Sequence, residues 1–343
     1  MSAGKHILVL RFSAMGDVAM TVPVIKELLQ QHPDLHITYV SRPGFAAFFD
    51  GIDRLHFFPA DFKTEYTGWT GSIKLFNRLK SHVRIDAVAN LHNNLRSNIL
   101  QSLYLLSGIH GQRVDKGRDE KKKLVRFPNK ALKPLRSTIE RYADVFRKLG
   151  FPVTLNNRIQ PQPDKLPDNF IELTGEKSGK WIGIAPFAQH KGKIYPLGRM
   201  EEVVKLLNHE SIRIFVFGGS PNEQAVAEDW EQKYQNVTSV INKINMQQEL
   251  ALISQLDVML SMDSSGMHLA SLKGIPVVSV WGATHHYAGF LGYGQSENNI
   301  IADDIACRPC SVYGNKPCFR KDYACLYNIE PQSILDKLLP FIL

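Results

Sequence analysis

Short solid apolar runs alternate along this chain with stretches whose apolar residues recur at helical spacing. Ile7-Leu8-Val9-Leu10 reads as a buried strand, and residues 18–30 follow with helical periodicity. Next come a strand at 37–40, a helix-like stretch at 45–49 and a strand at 55–57. Helical segments at 73–79 and 95–106 flank a further strand at 87–90. Pro161, Pro163 and Pro167 then interrupt the pattern, as suits a linker. Beyond them the alternation restarts, with strands at 181–185, 212–217, 256–260 and 277–280. Helices are expected at 200–207, from Ser220-Pro221-Asn222-Glu223 onward, and at 332–343. The second of these opens with a capping serine, a proline at the first position and a glutamate three residues on.

Alternation of this kind predicts parallel sheets covered by helices on both faces. The expected organisation is an N-terminal α/β domain over 1–160, a linker over 161–175 and a second α/β domain over 176–330. A last helix over 331–343 is expected to pack back towards the N-terminal domain. The length of 343 residues gives both domains room for a core. Ligands of such sheets favour the carboxyl ends of the strands.

Composition removes several classes. No apolar run approaches the roughly 18–20 residues that span a bilayer. The start runs directly into a strand interrupted by Arg11, so a cytoplasmic address is expected. Neither half carries a Gly-x-Gly-x-x-Gly turn after its first strand, and there is no phosphate-loop Gly-Lys-Ser/Thr, which argues against an NAD enzyme or a nucleoside triphosphatase. The net charge of +8 is uneven. Residues 113–133 hold nine basic and three acidic side chains. Such a patch is either a mobile solvated loop or an attraction for anionic membrane. Nucleic acid is the weaker candidate partner, because no zinc-finger spacing or interleaved aromatic stripe accompanies the charge.

Three turns carry candidate chemistry. Ser261-Met262-Asp263-Ser264-Ser265-Gly266-Met267-His268 follows an apolar strand and opens a helix. Small residues there bring free backbone N–H groups to a helix start, where phosphate is favoured, and Asp263 could grip sugar hydroxyls. Arg11-Phe12-Ser13-Ala14-Met15-Gly16-Asp17 follows the first strand. Asp17 is either a favourable first-turn acid or a proton acceptor for an attacking hydroxyl. Lys191 and Lys193 leave the first strand of the second half. They are either surface cations or the groups that meet a departing diphosphate. Glu223 could reach a ribose, although its capping position already explains it. Gly282-Ala283-Thr284 offers another small-residue turn. Cys307, Cys310, Cys318 and Cys325 fall in one segment as Cys-x2-Cys-x7-Cys-x6-Cys. Structural zinc, reduced packed thiols and redox behaviour all suit that spacing.

Together these segments resemble the ADP-heptose lipopolysaccharide heptosyltransferases of glycosyltransferase family 9, over nearly the whole chain. The resemblance rests on residues 11–17, on Lys193-Ile194-Tyr195-Pro196, on residues 263–270 and on Gly282-Ala283-Thr284. It implies the GT-B architecture, two Rossmann-like domains whose parallel sheets face a central cleft, with the acceptor on the first and the nucleotide sugar on the second. It implies that Asp17 is the base, that Lys193 neutralises the donor diphosphate and that Asp263 helps to hold the transferred sugar. Ser13, Lys191, Glu223, Ser264, Ser265, Gly266, His268 and Thr284 become donor-site residues. The implied reaction inverts configuration as heptose passes from ADP-heptose to a lipid-linked core hydroxyl. No cofactor is expected for catalysis, and the enzyme is expected to sit peripherally on the inner membrane without binding nucleic acid. Alternatives are a transferase for another nucleotide sugar, a GT-B-like sugar nucleotide epimerase, and a basic nucleic-acid-binding protein.

Overall fold

The computed structural model describes residues 4–158, 161, 163–167 and 170–343. It divides into two compact units, residues 1–116 with 138–156, and residues 117–137 with 157–343.

In the first unit, strands β1 (His6–Leu10), β2 (His36–Ser41), β3 (Leu55–Pro59), β4 (Ala87–Asn90) and β5 (Gly111–Arg113) form a parallel sheet in the order β3-β2-β1-β4-β5. Solid apolar strands belong at the centre of such a sheet, where both faces are covered. Accordingly, Ile7, Leu8, Val9 and Leu10 are fully enclosed. One face packs Leu8, Leu10, Val40 and Val88 against Leu75, Leu79, Leu100 and Tyr104 from helices Gly68–His82 and Leu95–Leu106.

In the second unit, β6 (Lys180–Ala185), β7 (Ile212–Val216), β8 (Val237–Ser239), β9 (Val258–Met262), β10 (Val277–Val280) and β11 (Ile300–Ile301) are parallel in the order β11-β10-β9-β6-β7-β8. Its core joins Ile182, Ile184, Val258, Leu260, Val278 and Val280 to Met200, Val203, Val204 and Trp230.

In each sheet the strand order reverses direction at one place, between β1 and β4 and between β6 and β9. Loops leaving the two strands at such a reversal run to opposite faces and leave a crevice at their carboxyl ends, where α/β sheets bind ligands. The turns singled out in the sequence stand at these places: residues 11–17 after β1, Lys191 and Lys193 after β6, and residues 263–266 after β9.

Three expectations need correction. The last helix, Pro331–Ile342, buries Ile334 and Leu338 in the second unit's core and packs on helix Leu197–Leu206 of that unit. Its apolar stripe is taken up by the sheet it follows. The basic stretch is not a solvated loop throughout: Arg118–Leu124 is helical, Lys121 and Leu124 are buried, and residues 117–137 belong to the second unit. The Lys121 ammonium lies 4.2 Å from the centre of the Phe290 ring, and Lys130 Nζ donates to the Ala306 carbonyl at 2.8 Å. The linker expected at 161–175 is narrower, because Ile171–Thr174 is helical and Lys273 pairs with Asp164 at 2.5 Å. Residues 162, 168 and 169 of that stretch lie outside the described residues.

Candidate active site

The turn after β1 is built around a buried cation. Arg11 is only 6% exposed, and its Nη2 meets Asp17 Oδ2 at 2.5 Å while Nη1 donates to the Leu91 carbonyl at 2.8 Å. Its guanidinium also lies 5.7 Å from the Tyr142 ring centre, and the Tyr142 hydroxyl interacts electrostatically with Asp17. Asp17 is the third residue of helix Met15–Ala19, and its Oδ2 accepts from the Ala14 N–H at 3.3 Å. The carboxylate is therefore anchored from two sides yet still reaches solvent, with its side chain 32% exposed. That combination suits a group that must take a proton from a substrate in fixed geometry. Ser13 is half-buried in the same turn. His92, from the turn after β4, accepts from the Phe12 N–H at 3.0 Å. Burial, reinforced by the nearby Arg11 charge, pushes its pKa down to about 3, so the imidazole is neutral and acts as a fixed acceptor.

In the second unit the turns after β6 and β9 are joined by charge. Lys193 Nζ lies 2.8 Å from Asp263 Oδ2 and donates to the Asp263 carbonyl at 2.9 Å. Asp263 is 3% exposed, so its charge is kept inside by its cationic partners, Lys193 in contact and Arg308 nearby. Helix Ser265–Leu272 starts immediately beyond, and Ser264 at its cap makes no side-chain bond to the first turn. The leading N–H groups are thus left to another acceptor, and the helix dipole favours an anion there. Gly266 has a steric reason: a Cβ there would stand 2.5 Å from the Ala185 Cβ at the end of β6. Lys193, Asp263, Ser264, Ser265 and Gly266 therefore converge on one crevice.

Other expected donor residues stand further back. Lys191 is exposed, with its ammonium 5.1 Å from the Tyr323 ring. His268 is buried on the same helix as Gly266, and Thr284 is fully enclosed, so both support the crevice from behind. Glu223 Oε2 accepts from the Gly219 and Ser220 N–H groups at 2.8 and 2.9 Å, completing the capping box of helix Pro221–Lys233. That carboxylate already has a structural task. The four cysteines form no disulfide and line one small cavity, and among the described residues no three His, Cys, Asp or Glu side chains stand as a ready-made metal site.

Sequence reasoning passed over Arg11, His92 and Tyr142 as functional groups. Arg11 could have been suspected, because a charged residue directly extending a fully apolar strand must find a partner. His92 and Tyr142 carry no such signal, since only the sheet order brings their segments beside β1.

The family model for glycosyltransferase family 9 (heptosyltransferase) matches residues 72–318. The chain belongs to that family. The family reaction is glycosyl transfer, which sets aside the epimerase. The lipopolysaccharide core heptosyltransferase OpsX of Haemophilus influenzae is 26% identical over 306 residues, covering 87% of this chain and 84% of that protein. Among solved structures, a family 9 glycosyl transferase from Veillonella parvula superposes with a TM-score of 0.75 at 16% identity, covering 98% of this chain and 97% of the other. The heptosyltransferase WaaC of E. coli, with ADP, superposes at 0.67 with 19% identity, covering 98% and 99%. The two-unit architecture is thus the GT-B fold of heptosyltransferases.

Proposed function

We propose that this heptosyltransferase moves a heptose from ADP-heptose to a hydroxyl of a lipid A–linked lipopolysaccharide core, with inversion at the anomeric carbon. The observation that carries the reading is the second unit's crevice, where Lys193, Asp263 and the bare start of helix Ser265–Leu272 meet at the reversal of strand order. A cation beside an uncapped helix start suits a diphosphate, and an adjacent buried carboxylate suits sugar hydroxyls. Relatives named as lipopolysaccharide heptosyltransferases, and a structure of E. coli WaaC with ADP-2-deoxy-2-fluoro heptose, support the choice of donor and acceptor class.

In the proposed reaction the acceptor oxygen attacks the anomeric carbon as the bond from that carbon to the diphosphate oxygen breaks. The hydroxyl proton passes to the Asp17 carboxylate, which Arg11 and the Ala14 N–H hold in place. Lys193 exchanges part of its contact with Asp263 for the diphosphate, so its charge counts most as negative charge grows on the leaving group. Ser13, Lys191 and Glu223 complete the donor site in this reading. These groups supply the electrostatic stabilisation, so omitting Mg2+ should leave turnover unchanged. The exposed cations of residues 113–133 would hold the enzyme at the cytoplasmic face of the inner membrane, where the acceptor lies.

The deciding experiment incubates the protein with a panel of nucleotide sugars and defined lipid A–core acceptors and weighs the products. A gain of one heptose from ADP-heptose is expected. Transfer from a different nucleotide sugar, with none from ADP-heptose, would overturn the donor assignment. Asp17→Asn should lower kcat by about 10²–10⁴-fold at saturating substrates, and undiminished turnover would remove Asp17 as the base.

A further inference from the structure

The Gly282-Ala283-Thr284 turn after β10 is held from two sides. Its Ala283 N–H donates to the Gly192 carbonyl at 2.8 Å, and its Gly282 carbonyl accepts from Arg308 Nε at 2.8 Å. A Cβ at Gly282 would stand 2.6 Å from the Gly192 carbonyl oxygen, so the turn lies against the residue that precedes Lys193. Gly314, in the loop that follows Arg308, presses on the lysine stem. A Cβ there, at a φ of +74°, would stand 2.6 Å from Lys193 Cγ. Arg308 therefore stands one turn behind the Lys193–Asp263 pair.

Arg308 is a cation without the partner its setting demands. Among the described residues no ion pair engages its guanidinium, and Nη2 is buried without an acceptor. A buried donor left in this way calls for an explanation. Burial draws the Arg308 pKa down, while Cys325, Asp304, Asp303 and Asp263 oppose the fall. The Cys325 thiol is itself kept neutral by burial. Asp304 is exposed, and Asp303 accepts from Asn328 Nδ2 at 2.8 Å. Of the three carboxylates only Asp263 is buried. Its Oδ2 has no aligned hydrogen bond, the 2.8 Å contact with Lys193 being an ion pair alone. The nearby His285 adds no charge, because burial, followed by Arg308 itself, pushes its pKa down to about 3. Arg308 is thus the one further cation acting on Asp263 in this account.

We propose that Arg308 is a positioning residue that keeps Asp263 ionised while Lys193 turns to the donor diphosphate, a role that rests on the diphosphate reading of Lys193. At that moment Asp263 gives up its direct partner, and a buried carboxylate with no cation takes a proton from solvent. A protonated Asp263 would hold sugar hydroxyls less firmly, since hydrogen bonds to a charged acceptor are about twice as strong as neutral ones. Arg308 prevents that loss. Its Nη2 is closed to solvent, so it acts through Asp263 and not on the ligand. Arginine suits the task because its guanidinium keeps its charge when buried.

Lys193→Met reproduces the departure of the lysine with no ligand present. The infrared band of a protonated carboxyl group is read at neutral pH as a difference against the same protein carrying Asp263→Asn. That subtraction cancels other carboxyls, the buried Glu249 among them. No band is expected for Lys193→Met, and a band is expected for Lys193→Met/Arg308→Met. A band of equal strength in both, or in neither, would overturn the role of Arg308. A second measurement keeps Lys193 in place and follows ADP binding by calorimetry in two buffers of different ionisation enthalpy. Arg308→Met should take up as much as about one more proton per ADP bound than the wild type. Equal proton counts would overturn the role even where the double variant does not fold. Failure of the wild type to bind ADP would instead remove the donor reading, and the infrared comparison would still decide on Arg308.

Discussion

Asp263 is a buried carboxylate whose direct ion-pair partner is Lys193, 2.8 Å away. Removing the lysine leaves a buried charge without its partner and also deletes the cation proposed for the diphosphate. Lys193→Met should therefore lower kcat/KM for the nucleotide sugar by about 10²–10³-fold and lower thermal stability as well. The double variant Lys193→Met/Asp263→Asn should regain stability without regaining activity, because its polar loss is paired. Steady-state kinetics beside melting curves check both halves. Gly266 carries a second prediction at this scale. Its missing Cβ would crowd Ala185 at 2.5 Å and Ser261 Oγ at 3.0 Å. Gly266→Ala should destabilise the protein by about 1–3 kcal/mol and weaken donor binding, measurable by denaturant unfolding and by calorimetry with ADP. Both positions were visible in the sequence as residues of the right type in the right turn. That Lys193 and Asp263 bind each other was not, because seventy residues separate them and only the adjacency of β6 and β9 brings them together.

The elements show a different balance. Solid apolar runs announce central strands, so β1, β2, β4, β6, β7, β9 and β10 were legible. Strands β5, β8 and β11 were not, being two or three residues long and at or near the sheet edges, where too little is buried to leave a pattern. Helix Arg118–Leu124 was missed because its charges dominate the composition and only Lys121 and Leu124 turn inward. Helix Met246–Ile253 was also missed, and it carries Glu249, whose pKa burial pushes up to about 7. The folded protein thus holds this proton to a higher pH than the unfolded chain does. Its contribution favours folding below about pH 4.5 and fades as pH rises towards 7. Glu249→Gln removes that pH dependence. Its melting temperature should match the wild type near pH 4.5 and exceed it at pH 8, by an amount equivalent to about 1–3 kcal/mol. An equal difference at both pH values would remove burial of the charge as the cause.

For the whole molecule, the uneven charge becomes specific once burial is known. Lys121 is enclosed and Lys130 is bonded to Ala306, whereas Lys122, Lys123 and Arg126 are exposed beside the exposed Phe127. Among the described residues no helix is long and apolar enough to cross a membrane, so surface attraction is the proposed route to a lipid-linked acceptor. Lys122→Glu/Lys123→Glu/Arg126→Glu should release the protein from anionic vesicles, with each cation worth about 1 kcal/mol near such a surface. Turnover on a soluble, delipidated acceptor should stay unchanged. Retention equal to that of the wild type in flotation assays would end the membrane role for this segment.

The sequence by itself determined that this is a two-unit α/β protein and which turns carry the chemistry, because burial in a parallel sheet imposes apolar runs and a phosphate-seeking helix start demands small residues. Tertiary structure alone decided which side chains meet. Strand order set His92 and Tyr142 beside the Arg11–Asp17 pair, and Lys193 against Asp263. It also put the last helix on its own sheet. These are contacts between distant segments, and local patterning cannot encode them, since they depend on which strand lies next to which.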